Sequence, residues 1–511
     1  MKPISKLTEF KIAWIALICL SFSLFLGKAG DNLLRGIDSN IHSAVSMDVT
    51  STGFLPKLPI TDPNLNTRDL GPPFNDHPFF FFWINGWIMR ALGPSAFSAR
   101  ILTASFSTGC IILTFCLGQS LYSTFFGFLS AIILLFTRDI VLTGGGVSLD
   151  PALLFFILLS FFYWQKEKWI LTAISAGVGL WFKTPVVLLV FPTAIVVSLL
   201  QKKSLQIFQK IILSTLLALF IGSFIWIATG WIGGWGLVQD YWVRQVWGTA
   251  VGGRNQGHRP NLFLPLAMIR RGFIPGLPLL LLGLSWISVK KLWKNPAVCV
   301  SLSAIGVLLI ALAPMSFSLD YYYNPVFPFL AFLSSFSLIP LLRNKEKKFF
   351  LIFSALALPL LAVLLCSPIR LGPEAFVALK RFMPLIQSYG TCQDHVLIVA
   401  GGEPVGSALD YRLALKFYTG RTVTTESCST ASSALVSRTP EWIVISCEHW
   451  NSCLSPSEKA LFPRRFQVGS QYLASSILPN TSVTDLTPLE RELKPVIDGR
   501  PPAYPKDIYH P

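Results

Sequence analysis

Between residues 12 and 366 the chain runs repeatedly into apolar stretches of bilayer length or a little less, and most polar connections between them are short. The stretches fall at about 12–27, 96–117, 122–142, 151–164, 169–182, 184–200, 210–230, 272–289, 297–314, 325–342 and 349–366. Lipid offers the backbone no hydrogen-bond partner, so a segment that crosses it must satisfy its own N–H and C=O groups, and a helix of roughly 20 residues does so. Several stretches are shorter than that and would borrow flanking polar residues. Only 13% of residues are charged, against about 25% in soluble domains. The pattern predicts an α-helical polytopic membrane protein of about eleven spans.

Orientation follows from the basic connections. Gln165–Lys168, Gln201–Lys210, Lys290–Lys294 and Arg343–Lys348 carry clusters of lysine and arginine, and such loops stay on the cytoplasmic side. These loops hold the larger part of the net charge of +16, and nucleic acid is not an expected partner. Counting back, Gly118–Ser120 is also inside, and the connection 28–95 is outside. Residues 78–92 (PFFFFWINGWIMRAL) are apolar enough to cross. Crossing would reverse every later segment and put the four basic loops outside. They are therefore expected to form an amphipathic helix on the outer surface, where Trp and Phe are favoured. Lys2, Lys6 and Lys11 precede the first apolar run, which is long enough to remain as an anchor, and "GKAG" makes a poor cleavage site.

Residues 1–369 thus form a transmembrane domain, and 370–511 a C-terminal extracytoplasmic domain of different character. "HVLIVAGG", "RTVTTE" and "EWIVISCE" read as short strands rich in β-branched residues. Residues 404–418 and 430–437 read as helices between them, giving a soluble α/β domain. Gly401-Gly402 turns the chain and lacks a full phosphate-binding pattern. Cys392, Cys428, Cys447 and Cys453 lie here, an even number that permits two disulfides in an oxidising compartment. Cys19, Cys110, Cys116, Cys299 and Cys366 lie in or beside apolar spans and read as packing residues.

With this topology the unusual polar residues share the outside face. They are Asp38, His42, Asp76, His77, Arg100, Asp139 or Asp150, Lys183, Tyr321–Tyr323 and the loop 231–271, which includes Arg244, Arg254 and His258. Each has an ordinary role open to it: Asp150-Pro151 makes a good helix start with Asp as N-cap, Lys183 can snorkel, and the tyrosines suit an aromatic belt. Together, cations, carboxylates and aromatics at a membrane edge suit a lipid phosphate. Cations would bind it by charge-assisted hydrogen bonds, a carboxylate would act as general base on an incoming hydroxyl, and the spans would hold a polyprenyl tail.

Four stretches carry a family resemblance over residues 10–370. "GIDSNIHSAVSMDVTSTGFLPKLPI" is similar to a loop in which Asp38 is followed four residues later by His42. "DHPFFFFWINGWIMRALGPSAFSAR" resembles a juxtamembrane helix with Asp76, His77, Pro78, Gly93 and Arg100 in place. "VSLDPALLFFILL" and "GLWFKTPVVLLVFP" resemble an acid-headed span and a Lys-bearing turn, on Asp150 and Lys183. "LDYYYNPVFPFLAFL" is similar to a late Tyr-Pro-rich segment. The pattern resembles the GT-C class of membrane glycosyltransferases, in the branch of protein O-mannosyltransferases and lipid A aminoarabinose transferases. It departs at Ser39, where a second acid is common, and at His77, where Lys is common.

The resemblance implies a polyprenyl-phosphate-linked sugar donor and a lipid, glycan or protein acceptor, joined by one inverting displacement. Asp38 would deprotonate the acceptor hydroxyl, and Asp150 would orient a cation or the sugar. Lys183, Arg100, His77, Tyr321 and Tyr322 would hold the donor phosphate. His42, Asp76, Arg244, Arg254 and His258 would line the substrate site. Asp76 with His77 could hold a divalent metal ion, both being ordinary ligands, although the family does not clearly need one. The expected location is the bacterial inner membrane, with the site on the periplasmic face. The alternative is a multi-span transporter or lipid-linked-sugar flippase. A transporter places its ionisable groups near mid-membrane on broken helices, whereas here they gather at span ends.

Overall fold

The structure, a computed structural model, describes residues 6–26, 37–52, 76–183, 185–248, 264–274, 276–312, 320–342 and 345–366. Further on it describes 395–400, 422–427, 435, 440, 442–446, 450, 452–462, 464–468 and 471–475. The chain divides into two compact units. One comprises residues 1–28, 75–81 and 100–369, and the other 29–74, 82–99 and 370–511.

The first unit is helical. In chain order the helices up to residue 240 are α1 (Lys6–Leu26), α2 (Ile37–Thr52, in the second unit), α3 (Phe80–Leu92), α4 (Ala96–Leu121), α5 (Thr124–Leu135), α6 (Arg138–Gly144), α7 (Asp150–Gln165), α8 (Trp169–Gly179), α9 (Val190–Leu200), α10 (Leu205–Gly233) and α11 (Trp235–Asp240). A wide π-helical turn, Tyr241–Trp247, follows. Then come α12 (Leu264–Gly272), α13 (Gly276–Val289), α14 (Pro296–Leu312), a tight turn at Asp320–Val326, α15 (Phe327–Leu342) and α16 (Glu346–Cys366). Each expected apolar stretch falls on one of these helices or on a consecutive pair.

By length and composition, α4, α10 and the segment Tyr321–Leu342 each suffice to cross a membrane. Two further spans arise if the bent pairs α5–α6 and α12–α13 each count as one. The expected single stretch 122–142 is thus broken, its halves inclined at 68°. The break falls at Phe136-Thr137, where the backbone leaves the helix and Thr137 Oγ1 turns back to donate to the Ile133 carbonyl (2.9 Å). Three of the basic connections turn through a left-handed residue, Glu167, Lys202 and Lys291, which closes the chain sharply between consecutive helices.

These helices pack through aromatic and small residues. Phe10, Phe115, Phe128 and Phe350 stack or meet edge to face, and Phe126 lies on Phe332. A Cβ added to Gly118 would lie 2.8 Å from Cα of Gly127, so the two glycines let α4 and α5 approach backbone to backbone, as small residues do in membrane bundles. Ser130 and Ser335 share a buried hydrogen bond of 2.8 Å between α5 and α15. On α10 the side chains of Leu213, Leu216, Phe220, Phe224 and Trp231 are exposed. That is the surface a lipid-facing helix presents, with no water-driven reason to hide it.

In the second unit α3 is amphipathic, as expected for 78–92. Phe82, Asn85 and Met89 are buried while Trp87, Arg90 and Leu92 are exposed. Further along lies a five-stranded sheet of order β2-β1-β3-β5-β4, with β1 His395–Ala400, β2 Thr422–Ser427, β3 Trp442–Ser446, β4 Arg464–Val468 and β5 Gln471–Ser475. β1 pairs parallel with β2 and β3; β5 pairs antiparallel with β3 and β4. The first three strands are those read from sequence. The expected helix 404–418, nearly all of 430–437 and Gly401-Gly402 lie outside the described residues.

Candidate active site

In the first unit an ion pair with both side chains buried joins Asp150 and Lys183. Asp150 opens α7, but the residue before it, Leu149, already has helical backbone angles, and the Asp side chain does not cap the helix. The N-cap position, one role open to Asp150 from the sequence, is thus taken by Leu149. The carboxylate turns instead to Lys183 Nζ at 2.6 Å and accepts from Ser148 Oγ at 2.9 Å. Ser148 Oγ in turn accepts from the Asp150 N–H. An ammonium at this distance in a buried setting outbids a backbone N–H for the carboxylate.

Lys183 does not snorkel: its side chain is 5% exposed. It sits in the turn after α8 with its ammonium over the rings of Tyr321 (4.9 Å) and Tyr322 (5.5 Å), close enough for cation–π attraction. The turn is pinned by its neighbours. Trp181 Nε1 donates to the Ile221 carbonyl, and Phe182 packs against Phe80, Phe106 and Phe156.

A second group lies on the turn after α11. Arg244 Nη1 donates to Asp76 Oδ1 at 3.1 Å, and Gln245 Nε2 donates to the same oxygen. Arg244 Nε donates to Asp240 Oδ2 at 3.2 Å. Tyr241, one turn earlier, is fully buried with its ring 4.5 Å from that of Trp226. Burial foremost, then Tyr322 and Asp76, push its phenol well above the usual tyrosine range.

Asp139 pairs with its neighbour Arg138 at 2.7 Å, so of the two acids left open by the sequence it is Asp150 that meets the lysine. Arg100 is buried on α4, and His77 is half-buried beside Asp76 in sequence. Asp38 and His42 belong to the second unit. Asp38 is exposed in the first turn of α2, where the helix dipole favours a carboxylate. His42, one turn on, is buried with its ring 5.5 Å from Phe82. Ser46 Oγ donates to the His42 carbonyl and accepts from Asn85 Nδ2, which ties α2 to α3. Arg254 and His258 lie outside the described residues.

Among the described residues no three His, Cys, Asp or Glu side chains gather as a metal site. One oxygen of the Asp76 carboxylate, Oδ1, accepts from both Arg244 and Gln245. The sequence pointed to most of these residues, but not to Tyr241, Gln245 or Ser148. Ser148 has a local signal, a hydroxyl two residues before the acid. Tyr241 and Gln245 have none, because their role depends on contacts about 160 residues away (Gln245 to Asp76 spans 169 positions).

The arrangement can bind an anion. The Lys183 ammonium has three N–H donors, of which Asp150 takes one, and phenol hydroxyls stand at Tyr321 and Tyr322. A family model described as dolichyl-phosphate-mannose-protein mannosyltransferase matches residues 76–227. That stretch starts on Asp76 and takes in Arg100, Asp150 and Lys183. No curated protein matches the chain in sequence. Among solved structures the chain is similar to ArnT from Cupriavidus metallidurans bound to undecaprenyl phosphate. The TM-score is 0.63 at 13% identity, over 91% of this chain and 97% of that one. The apo state of the same protein gives 0.60 at 12% identity over the same shares. The apo oligosaccharyltransferase of Archaeoglobus fulgidus gives 0.50 at 10% identity, over 88% of this chain and 70% of that one. The chain thus has the fold of GT-C-class membrane glycosyltransferases, as the resemblance implied.

Proposed function

We propose that this protein is an integral membrane glycosyltransferase. It moves a sugar from a polyprenyl-phosphate donor to a hydroxyl of a lipid, glycan or protein on the extracytoplasmic face of the bacterial inner membrane. The observation that carries the reading is the buried Asp150–Lys183 pair beneath Tyr321 and Tyr322, in a fold shared with a protein that holds undecaprenyl phosphate. About eleven spans, with the basic loops inside and residues 370–511 outside, are part of the reading. The disulfide at Cys453 supports the outside location.

Asp150 fixes Lys183 so that its remaining N–H groups, with the Tyr321 and Tyr322 hydroxyls, stabilise the phosphate that leaves. Arg244 is held by Asp76 and Asp240 and adds positive charge. Asp38, exposed and in the second unit, is the base that takes the acceptor's proton as its oxygen attacks the anomeric carbon from the face opposite the phosphate. Asp38→Asn keeps the shape and removes the base. Transfer should fall by two orders of magnitude or more, in keeping with the roughly 10²–10⁴-fold contribution of such groups, with membrane insertion and thermal stability unchanged. Full transfer by this variant would remove Asp38 from the mechanism.

A further inference from the structure

The turn Tyr241–Trp247 is amphipathic in the reverse sense to a soluble helix. Trp242, Val243 and Trp247 face outward, as do Trp231 and Trp235 just before them. Tyr241 and Gln245 are buried and Arg244 half-buried. Aromatic side chains outward and polar ones inward is the arrangement of a segment lying in the membrane interface. A π-helical turn is uncommon and tends to mark functional sites. Here it brings Tyr241, Arg244 and Gln245 to the same side.

Two of these three have partners in Asp76. The third does not: the Tyr241 hydroxyl is buried and has no hydrogen-bond partner among the described residues. A buried hydroxyl without a partner costs free energy, and folding alone would favour phenylalanine on the face of Trp226. Because burial, Tyr322 and Asp76 all oppose its ionisation, this phenol remains a neutral O–H donor. It suits an anionic oxygen, to which it gives a hydrogen bond without adding charge.

Building on the glycosyltransferase reading, we infer that the Tyr241 hydroxyl donates to a phosphate oxygen of the lipid-linked donor. Tyr241 is then a specificity residue for the phosphate head, and the tryptophan face of its turn keeps that head at interfacial depth.

The test compares binding of undecaprenyl phosphate and of undecaprenol to the full-length protein in nanodiscs, for wild type and Tyr241→Phe. A hydrogen bond to a charged oxygen corresponds to roughly 10- to 100-fold in affinity. Tyr241→Phe should bind undecaprenyl phosphate weaker by that factor and undecaprenol unchanged, with an unfolding temperature equal to or above that of wild type. Equal binding of undecaprenyl phosphate by the two proteins overturns the assignment. So does a variant that unfolds earlier while binding as wild type does, because the hydroxyl then serves an internal partner. If wild type itself fails to prefer undecaprenyl phosphate over undecaprenol, the glycosyltransferase reading fails instead.

Discussion

Replacing Lys183 by methionine keeps the volume of the side chain and removes its charge. In the protein the Lys183 and Asp150 side chains are 5% and 7% exposed and 2.6 Å apart. Without the ammonium, the Asp150 carboxylate keeps only the Ser148 hydroxyl among the side-chain donors described for it. Leaving one member of a buried pair charged and unmatched costs about 3–5 kcal/mol, whereas replacing both by uncharged groups of similar size is often close to neutral. Lys183→Met should therefore unfold at markedly lower denaturant than wild type. Asp150→Asn/Lys183→Met should recover most of the loss. Both should fail to transfer sugar, because the cation is missing in each. The assay is denaturant unfolding in detergent followed by tryptophan fluorescence, beside donor turnover in nanodiscs. If the double variant is no more stable than Lys183→Met, the carboxylate is not the stranded charge. If the double variant transfers at the wild-type rate, the pair is a strut and the phosphate is held elsewhere.

Two further outcomes concern Tyr241 and the topology. The Tyr241 phenol keeps its proton in the folded protein beyond the pH at which an unfolded tyrosine, near pH 10, releases it. The stability tied to that raised value is present below about pH 10 and is lost as pH rises toward the folded value. Wild type should thus lose up to about 1.4 kcal/mol more per pH unit above 10 than Tyr241→Phe; parallel unfolding curves would show that burial does not shift the phenol. A single cysteine in the exposed face of α3, at Trp87, should react with an impermeant reagent from outside. Labelling of the 343–348 loop from outside would reverse the whole arrangement.

Much of the fold is legible because lipid imposes a simple rule. Among the described residues the apolar stretches of about 14 residues or more lie mainly on helices, since the backbone has no alternative partner there. The break at Phe136-Thr137 had a local mark in the polar Thr137-Arg138-Asp139, but reading 122–142 as one span passed over it; the packing around α6, including the Asn324–Thr143 hydrogen bond, shows where the chain turns. β4 (RRFQV) and β5 (QYLAS) escaped because they are short and half polar, and their pairing is set by β3 rather than by local pattern. In the candidate site, Asp150 and Lys183 stood out as charges in apolar context, but their pairing across 33 residues carries no sequence signature. Tyr241 looked like any tyrosine of a Trp-rich loop. Its burial comes in part from Trp226 on α10, a contact that no local pattern marks.

The central claim is transfer from a polyprenyl-phosphate sugar. It is tested most directly by incubating the purified protein in nanodiscs with the lipid-linked sugars and envelope extract of its own source cells, and measuring polyprenyl phosphate by mass spectrometry. Wild type should release polyprenyl phosphate with a matching sugar mass added to one acceptor, and Lys183→Met should do neither. A wild-type protein that binds the donor and leaves it intact in the presence of that extract would contradict it.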